Sequence, residues 1–291
     1  MHTIVTHSGS FHSDDVFAIA AFQLLLGIET LDIIRTRDEQ IISTADYVVD
    51  VGGVYDHTHK RYDHHQIGAP VRDNGIPYSG FGLVWKHYGS EIAKSEAVAA
   101  AIDKQLVQAI DAGDNGISLY TLRDTGITPV ELHQIIGSYA PAWGSEDDKD
   151  KCFMAAVDFA RAYLTRTIKK EKAKLQMEEL VESVYNLASD KRILEFDVPI
   201  PMSALISHED VEVVLCPDDP ASNDNWVATC VRKRQDTFES RVSFPEKWAG
   251  LRNTDLQNES GISDAIFCHK ARFLFVAASK ESALQAAQVA A

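Results

Sequence analysis

The stretch THSGSFHSDDVFAIAAF, residues 6–22, decides how the chain is read. His7, His12, Asp14 and Asp15 crowd together directly ahead of a run with almost no polar side chains. That run, DDVFAIAAFQLLLG, reads as a helix with acids in its first turn and Gly27 as its stop. Before it, TIVTHS (3–8) reads as a short buried strand. After it, LDIIRTR (31–37) and YVVDVGG (47–53) read as two more, the second closed by glycines. Strand, helix and strand at such short intervals predict a parallel α/β sheet. Ligands of such sheets bind beyond the carboxyl ends of the strands. His7 is predicted at the end of the first strand and Asp50 at the end of the third. Asp14 therefore reads as both helix opener and site residue, and Asp15 as a cap alone.

Working outward, residues 78–112 carry apolar positions at helical spacing, and a longer helical stretch covers roughly 150–189. Short strand-like runs follow, RILEF, VEVVLCP, NWVATCV and ARFLFVAAS, separated by turns rich in Pro, Asp and Asn. The helix KESALQAAQVAA closes the chain. This organisation predicts a catalytic, metal-binding α/β domain over 1–145, a long connecting helical segment over 146–190, and a smaller α/β domain over 191–291 that binds substrate.

Composition narrows the function. The chain has 291 residues, 45% of them hydrophobic and 24% charged, which is ordinary for a globular protein and excludes global disorder. Its net charge of −15 disfavours nonspecific binding to a polyanion while leaving room for a locally basic groove. The longest apolar run, Val16 to Ile28, is too short to span a bilayer, and no cationic segment precedes it. A cytoplasmic protein without a transit segment or a membrane partner is expected. Cys152, Cys216, Cys230 and Cys268 form no C-x-x-C pair, which argues against a zinc ribbon or a redox motif and for reduced thiols. Neither a P-loop nor a nucleophile elbow is present.

Four stretches carry one kind of chemistry: His7-x4-His12-x-Asp14, Asp50 in VVDVGG, Asp63-His64-His65 in RYDHHQ, and Asp111 with Asp114 in AIDAGDNGI. Each alone has a plain reading, as a helix cap, a loop decoration or a helix end. Together they put imidazoles and carboxylates at strand ends and loops, a donor set that suits Mn²⁺, Co²⁺, Fe²⁺ or Zn²⁺. Two ions about 3.5–4 Å apart need a bridging carboxylate and terminal ligands on both sides. Asp50, alone at a central strand end, is the natural bridge.

The segments DVGG and RYDHHQ resemble the signature of the DHH phosphoesterase superfamily. With THSGSFHSDD, IIRTRD, SGFGLVWKHYG and DAGDNGI, they are similar to a narrower group, the melanocyte-proliferating-gene family of metal-dependent hydrolases, also described as exonucleases. The likeness continues more loosely through SRVSFPEKWAGLR, GISDAIFCHKARFLFVA and ESALQAA. It implies a DHH-phosphoesterase-like fold and a metal site of two ions, Mn²⁺ above all. The ligands it implies are His7, His12, Asp14, Asp50, His64 and Asp111, with Asp114 a weaker candidate for the last place. Asp63 would orient its neighbours and His65 would contact phosphate. The middle ligand is His12 where the superfamily carries an aspartate, and the gap after His7 is one residue longer. His57 and His59 match nothing and read as a solvated loop.

The implied reaction is phosphodiester hydrolysis by water activated between the two cations, with 3′–5′ trimming of RNA or short oligonucleotides as the leading substrate class. The rivals are a phosphatase or pyrophosphatase acting on a small phosphorylated metabolite, and a noncatalytic metal-stabilised binding protein. Six basic residues stand against three acidic ones between 230 and 252, a reversal of the overall charge. Arg241 and Arg252 are expected to clamp phosphates, Phe244 and Trp248 to stack a base, and His269 and Lys270 to line the same interdomain cleft. Arg35 and Arg37 are expected to face the phosphates from the first domain. A homodimer is left open.

Overall fold

The computed structural model describes residues 1–219 and 225–291. Strand β1 (His2–Thr6) is built from Thr, Ile and Val, which fit a pleated surface, and Ile4 and Val5 are wholly buried. Helix α1 (Ser13–Leu26) follows, buried on every side from Ser13 to Gln23, as expected of a helix without a polar face. Its C-cap is Gly27, at φ 89°. Next come β2 (Leu31–Arg35), α2 (Glu39–Thr44), β3 (Tyr47–Val49), β4 (Tyr55–Asp56) and β5 (Arg61–Tyr62).

The first sheet has the order β2-β1-β3-β5-β4. Val5 pairs with Ile34 on one side and Val48 on the other, and Val49 pairs with Tyr62, all in parallel. The edge strand β4 runs antiparallel to β5, so the sheet is mixed rather than purely parallel. The reason is local: β4 and β5 are joined by a tight turn, and a hairpin can only run antiparallel. His7 and Asp50 leave the carboxyl ends of the two adjacent parallel strands β1 and β3.

The predicted helical span 78–112 resolves into α3 (Gly80–Ala93), α4 (Glu96–Ile102), a π-helical turn over Asp103–Val107, and α5 (Gln108–Asp114). Lys94, at φ 53°, turns the chain between α3 and α4, and the Ser95 side chain then accepts the Val98 N–H to open α4. Helix α3 packs on α1, with Phe81 and Phe17 ring centroids 5.5 Å apart. Helix α6 (Leu132–Gly137) and the 39-residue α7 (Lys149–Leu187) complete this part.

The remaining elements are β6 (Ile193–Glu195), β7 (Val213–Pro217), β8 (Trp226–Cys230), α8 (Asn253–Ser260), β9 (Ala265–Cys268), β10 (Leu274–Ala277) and α9 (Lys280–Ala290). They form a second mixed sheet of order β6-β7-β8-β10-β9, parallel only between β6 and β7. Strand β9 and helices α2, α6 and α8 lie outside the elements read from the sequence. The chain divides into two compact units, Met1–Ala173 and Lys174–Ala291, so the division falls inside α7. Among the described residues no helix is long and apolar enough to cross a membrane.

Candidate metal centre

Asp50 occupies a left-handed backbone conformation, φ 55°, that L residues adopt at a cost and that asparagine and aspartate tolerate best. The left-handed Gly52 (φ 95°) and Gly53 (φ 68°) follow, so the chain turns sharply off β3 and brings the Asp50 carboxylate back over the strand end. The Gly53 N–H then donates to Asp63 Oδ2 at 2.5 Å. Asp63 Oδ1 accepts from the N–H groups of His64 (2.7 Å) and His65 (3.1 Å) and from His65 Nδ1 (2.7 Å). A single buried carboxylate thus ties the turn that carries Asp50 to the loop that carries both histidines.

Around Asp50 three groups of donors converge, and within each group the donor atoms lie within 4.8 Å of one another. They are His7, His12 and Asp50; Asp50, His64 and His65; and His12, Asp14 and Asp114. Asp50 belongs to two of them and His12 to two. Asp50 Oδ2 is 3.2 Å from His7 Nε2, and its Oδ1 is 3.3 Å from His64 Nε2. Asp114 Oδ2 is 3.2 Å from the same His64 nitrogen. All of these residues but Asp14 line a cavity of about 330 Å³ together with Arg37 and Asn115.

The electrostatics are those of a crowded anionic pocket. Burial raises Asp14 well above the usual carboxylate range, and the neighbouring Asp50, Asp114 and Asp15 push it further. Burial also acts to raise Asp50, but His64 and His7 outweigh it and hold Asp50 at about 2. Burial of the His7 ring acts to lower its pKa, yet Asp15 and Asp50 carry it up to about 10. His64 is raised by Asp50 in the same way, again against its burial. Even so, Asp14 Oδ1, Asp15 Oδ2, Asp50 Oδ1 and His64 Nε2 are buried without a hydrogen-bond partner. Buried polar atoms are rarely left so, and packed carboxylates call for positive charge. The clusters fit metal ions with nitrogen and oxygen donors.

Two positions depart from the sequence expectation. Asp111 is fully buried, but its carboxylate is taken by Ser79 Oγ and Arg72 Nη1, each at 2.5 Å. It stands outside the three donor groups, whereas Asp114, one turn on, belongs to one of them. Asp15 does more than cap α1: Oδ1 accepts the His12 N–H at 2.9 Å, and Oδ2 lies 3.2 Å from His7 Nε2. Glycines of the SGFG segment make room for these carboxylates. A Cβ on Gly80 would stand 3.1–3.2 Å from Asp50 and Asp14, and one on Gly82 only 2.0 Å from Asp111 Oδ2. The left-handed turn, the Asn115 wall and the Arg72 partner went unread in the sequence. Gly52 and Gly53 directly after Asp50-Val51, and Gly80 and Gly82 in SGFG, were the available signal.

A family model described as MYG1 exonuclease, uncharacterised protein family UPF0160, matches residues 3–291. The chain belongs to this family. It is 30% identical to a MYG1 protein of Caenorhabditis elegans, over 99% of this chain and 94% of the relative. It is 32% identical to a MYG1 protein of Chlamydia pneumoniae, over 98% and 94%. It is 30% identical to the human MYG1 exonuclease, over 98% and 84%. The sequence expectation of an enzyme agrees with this membership. Among solved structures, the pGpG-specific phosphodiesterase PggH of Vibrio cholerae matches 98% of this chain and 96% of its own, with TM-score 0.36 and 13% identity.

The basic residues that the sequence assigns to substrate fall into different surroundings in this family member. Arg37 is exposed and lines the metal cavity. Arg35 does not face it: its side chain is 2% exposed, pairs with Asp150 at 2.8 Å, donates to the Gly9 carbonyl and lies over Phe153. In the second unit, Arg241 is spent on the carbonyls of His208, Val211 and Ile206 at 2.5, 2.6 and 2.9 Å, so it braces a turn and offers no fork to a phosphate. Phe244 and Trp248 are core residues packed on Phe275 and are closed to a base. Arg252 is exposed with its guanidinium 4.2 Å from the Phe267 ring centre, and Lys270 is exposed. His269 Nδ1 accepts the Ala271 N–H at 3.0 Å. His59 sits in solvent beside Asp56, but His57 stacks on His87 instead of standing free.

Proposed function

We propose that the chain is a divalent-metal-dependent phosphodiester hydrolase that trims RNA or short oligonucleotides from the 3′ end in the cytoplasm. The observation that carries this reading is the sharing of Asp50 between two donor groups, the arrangement a bridged pair of ions requires. Asp50 would bridge, with His7 and His12 on one side and His64 on the other; Asp14 and Asp114 would complete the set. Such ions, Mn²⁺ above all by the family resemblance, would supply an activated water and neutralise phosphoryl charge.

The protein's own groups have separate tasks. Asp63 accepts from His65 Nδ1, so that nitrogen carries the proton and Nε2 is turned to the substrate. Arg37, at the cavity mouth, can grip two phosphoryl oxygens at once. The buried wall of α1 behind His12 and Asp14 holds the donors rigid. The free thiols of Cys152, Cys216, Cys230 and Cys268 support a reducing compartment.

The net charge of −15 favours a second reading, a phosphatase for a small metabolite or pyrophosphate, because a long polyanion is repelled. Incubating the protein with Mn²⁺ and either 5′-labelled RNA or pyrophosphate separates them. A ladder shortening from the 3′ end supports the exonuclease. Phosphate release from pyrophosphate alone rejects it, and turnover of neither substrate with any divalent ion favours a metal-stabilised binding protein.

A further inference from the structure

A second cavity, of about 740 Å³, lies in the same unit and shares the metal centre's supporting segments. Ser13, which lines it, stands between His12 and Asp14. Gly113 and Gly116, which also line it, flank Asp114 and Asn115 of the metal cavity. At both places consecutive residues of the chain line one cavity and then the other. Its volume is within the range of about 300–1,000 Å³ common for small-molecule sites.

The lining has the chemistry of a flat aromatic ligand. Phe159 and Tyr163, one turn apart on α7, are stacked with ring planes 25° apart and centroids at 6.2 Å, and both line the cavity, where Tyr163 stays 37% exposed. Tyr120 closes another side. Leu119 (55% exposed) and Ile117 (38%) add apolar surface that water covers poorly. One fixed acceptor stands at the rim: the Glu131 carboxylate takes the Tyr120 hydroxyl and pairs with His133 Nδ1 at 2.9 Å. An aromatic slot with one anchored acceptor, lined by the chain neighbours of the candidate metal donors, matches a heterocycle that carries amino groups and is attached to a phosphate.

We propose that this cavity receives the terminal nucleobase of the substrate, stacked on Phe159 and Tyr163, and thereby places the adjoining phosphodiester over the Asp50 cluster. The assignment rests on the phosphodiesterase reading above and names the subsite that reading lacks.

The test is the binding of adenosine 5′-monophosphate and of ribose 5-phosphate to the full chain with Mn²⁺, measured by calorimetry. The two ligands share the phosphate, so their difference isolates the base. The wild-type chain should bind the nucleotide about tenfold more tightly, the size of a base–aromatic stacking contact. Ala109→Trp, which fills the cavity from the exposed side of α5, and Tyr163→Ser should both erase that difference while leaving Mn²⁺ affinity and ribose 5-phosphate binding unchanged. Equal affinities in the wild type, or a difference that survives both variants, overturns the proposal. Shortening of RNA without base-dependent binding rejects this subsite alone. Base-dependent binding without RNA shortening rejects the exonuclease reading and leaves the subsite standing.

Discussion

The Asp63 carboxylate and the Gly53 N–H meet at 2.5 Å, and this bond joins the turn after β3 to the loop after β5. Asp50 lies three residues before one partner, and His64 directly follows the other. Asp63 thus sets the separation between the bridging carboxylate and the histidine across from it. It touches none of the donor groups as a member, but it holds two of them in register.

Asp63→Asn replaces an acceptor-only group with one whose NH2 must face an N–H donor, either Gly53 or the pair His64 and His65. The loop should shift, and Mn²⁺ affinity should fall by about 10- to 100-fold, the usual cost of losing a group that orients a metal ligand. Calorimetric titration of the metal-free protein measures this. An unchanged affinity would show that the loop is held by other means.

Asp50→Asn separates charge from backbone. Asparagine tolerates the left-handed φ of 55° as well as aspartate does, so the fold should survive with little change in melting temperature. The variant loses the charge that His7 and His64 stabilise, and with it the bridge. Turnover should drop to background, and the Mn²⁺ stoichiometry should fall below two. Near wild-type hydrolysis by this variant would sink the two-ion reading.

How much of this was visible in the sequence depends on the range of the interactions. His7 and Asp50 could be placed at adjacent strand ends because short apolar runs and a glycine stop mark strands locally. Asp111 and Asp114 could not be told apart, because three residues on a helix turn two side chains to neighbouring faces. Only Arg72, 39 residues away, shows which face is occupied. Arg241 looked like a phosphate clamp for the same reason, since a basic residue in a turn reads alike whether it meets solvent or the carbonyls of residues 205–211. Phe244 and Trp248 sit in a basic stretch, but that stretch folds back over β10 and buries them.

Asp111 and Asp114 should therefore separate by experiment. Arg72→Leu leaves Asp111 buried with Ser79 as its partner, and Gly82→Ala drives a methyl group into its carboxylate. Arg72→Leu should cost about 3–5 kcal/mol in urea denaturation, the range for breaking a buried ion pair, and Gly82→Ala about 1–3 kcal/mol, the range for overpacking, while folded protein of either kind still binds its metal. Asp114→Asn should do the reverse, weakening Mn²⁺ binding with little loss of stability. Loss of metal sites in correctly folded Arg72→Leu protein would return Asp111 to the ligand set.

The His57–His87 stack predicts a pH dependence away from the metal centre. The rings lie 3.6 Å apart and 5° from parallel, and His87 Nε2 is 2.8 Å from the Tyr55 hydroxyl, within hydrogen-bond distance. Burial, then His57 and Lys86, lower His87 from 6.5 to about 4. The unfolded chain therefore binds a proton below pH 6.5 that the folded chain refuses until about pH 4. The stabilising contribution is complete above 6.5 and is lost as the pH falls through that window. His87→Gln keeps an acceptor for Tyr55 without titrating. Urea midpoints at pH 7 and pH 4 should fall further for wild type than for this variant, by a margin that other titrating groups, common to both proteins, cannot supply. Parallel losses in the two proteins would mean that His87 titrates in the folded state as it does in the unfolded chain.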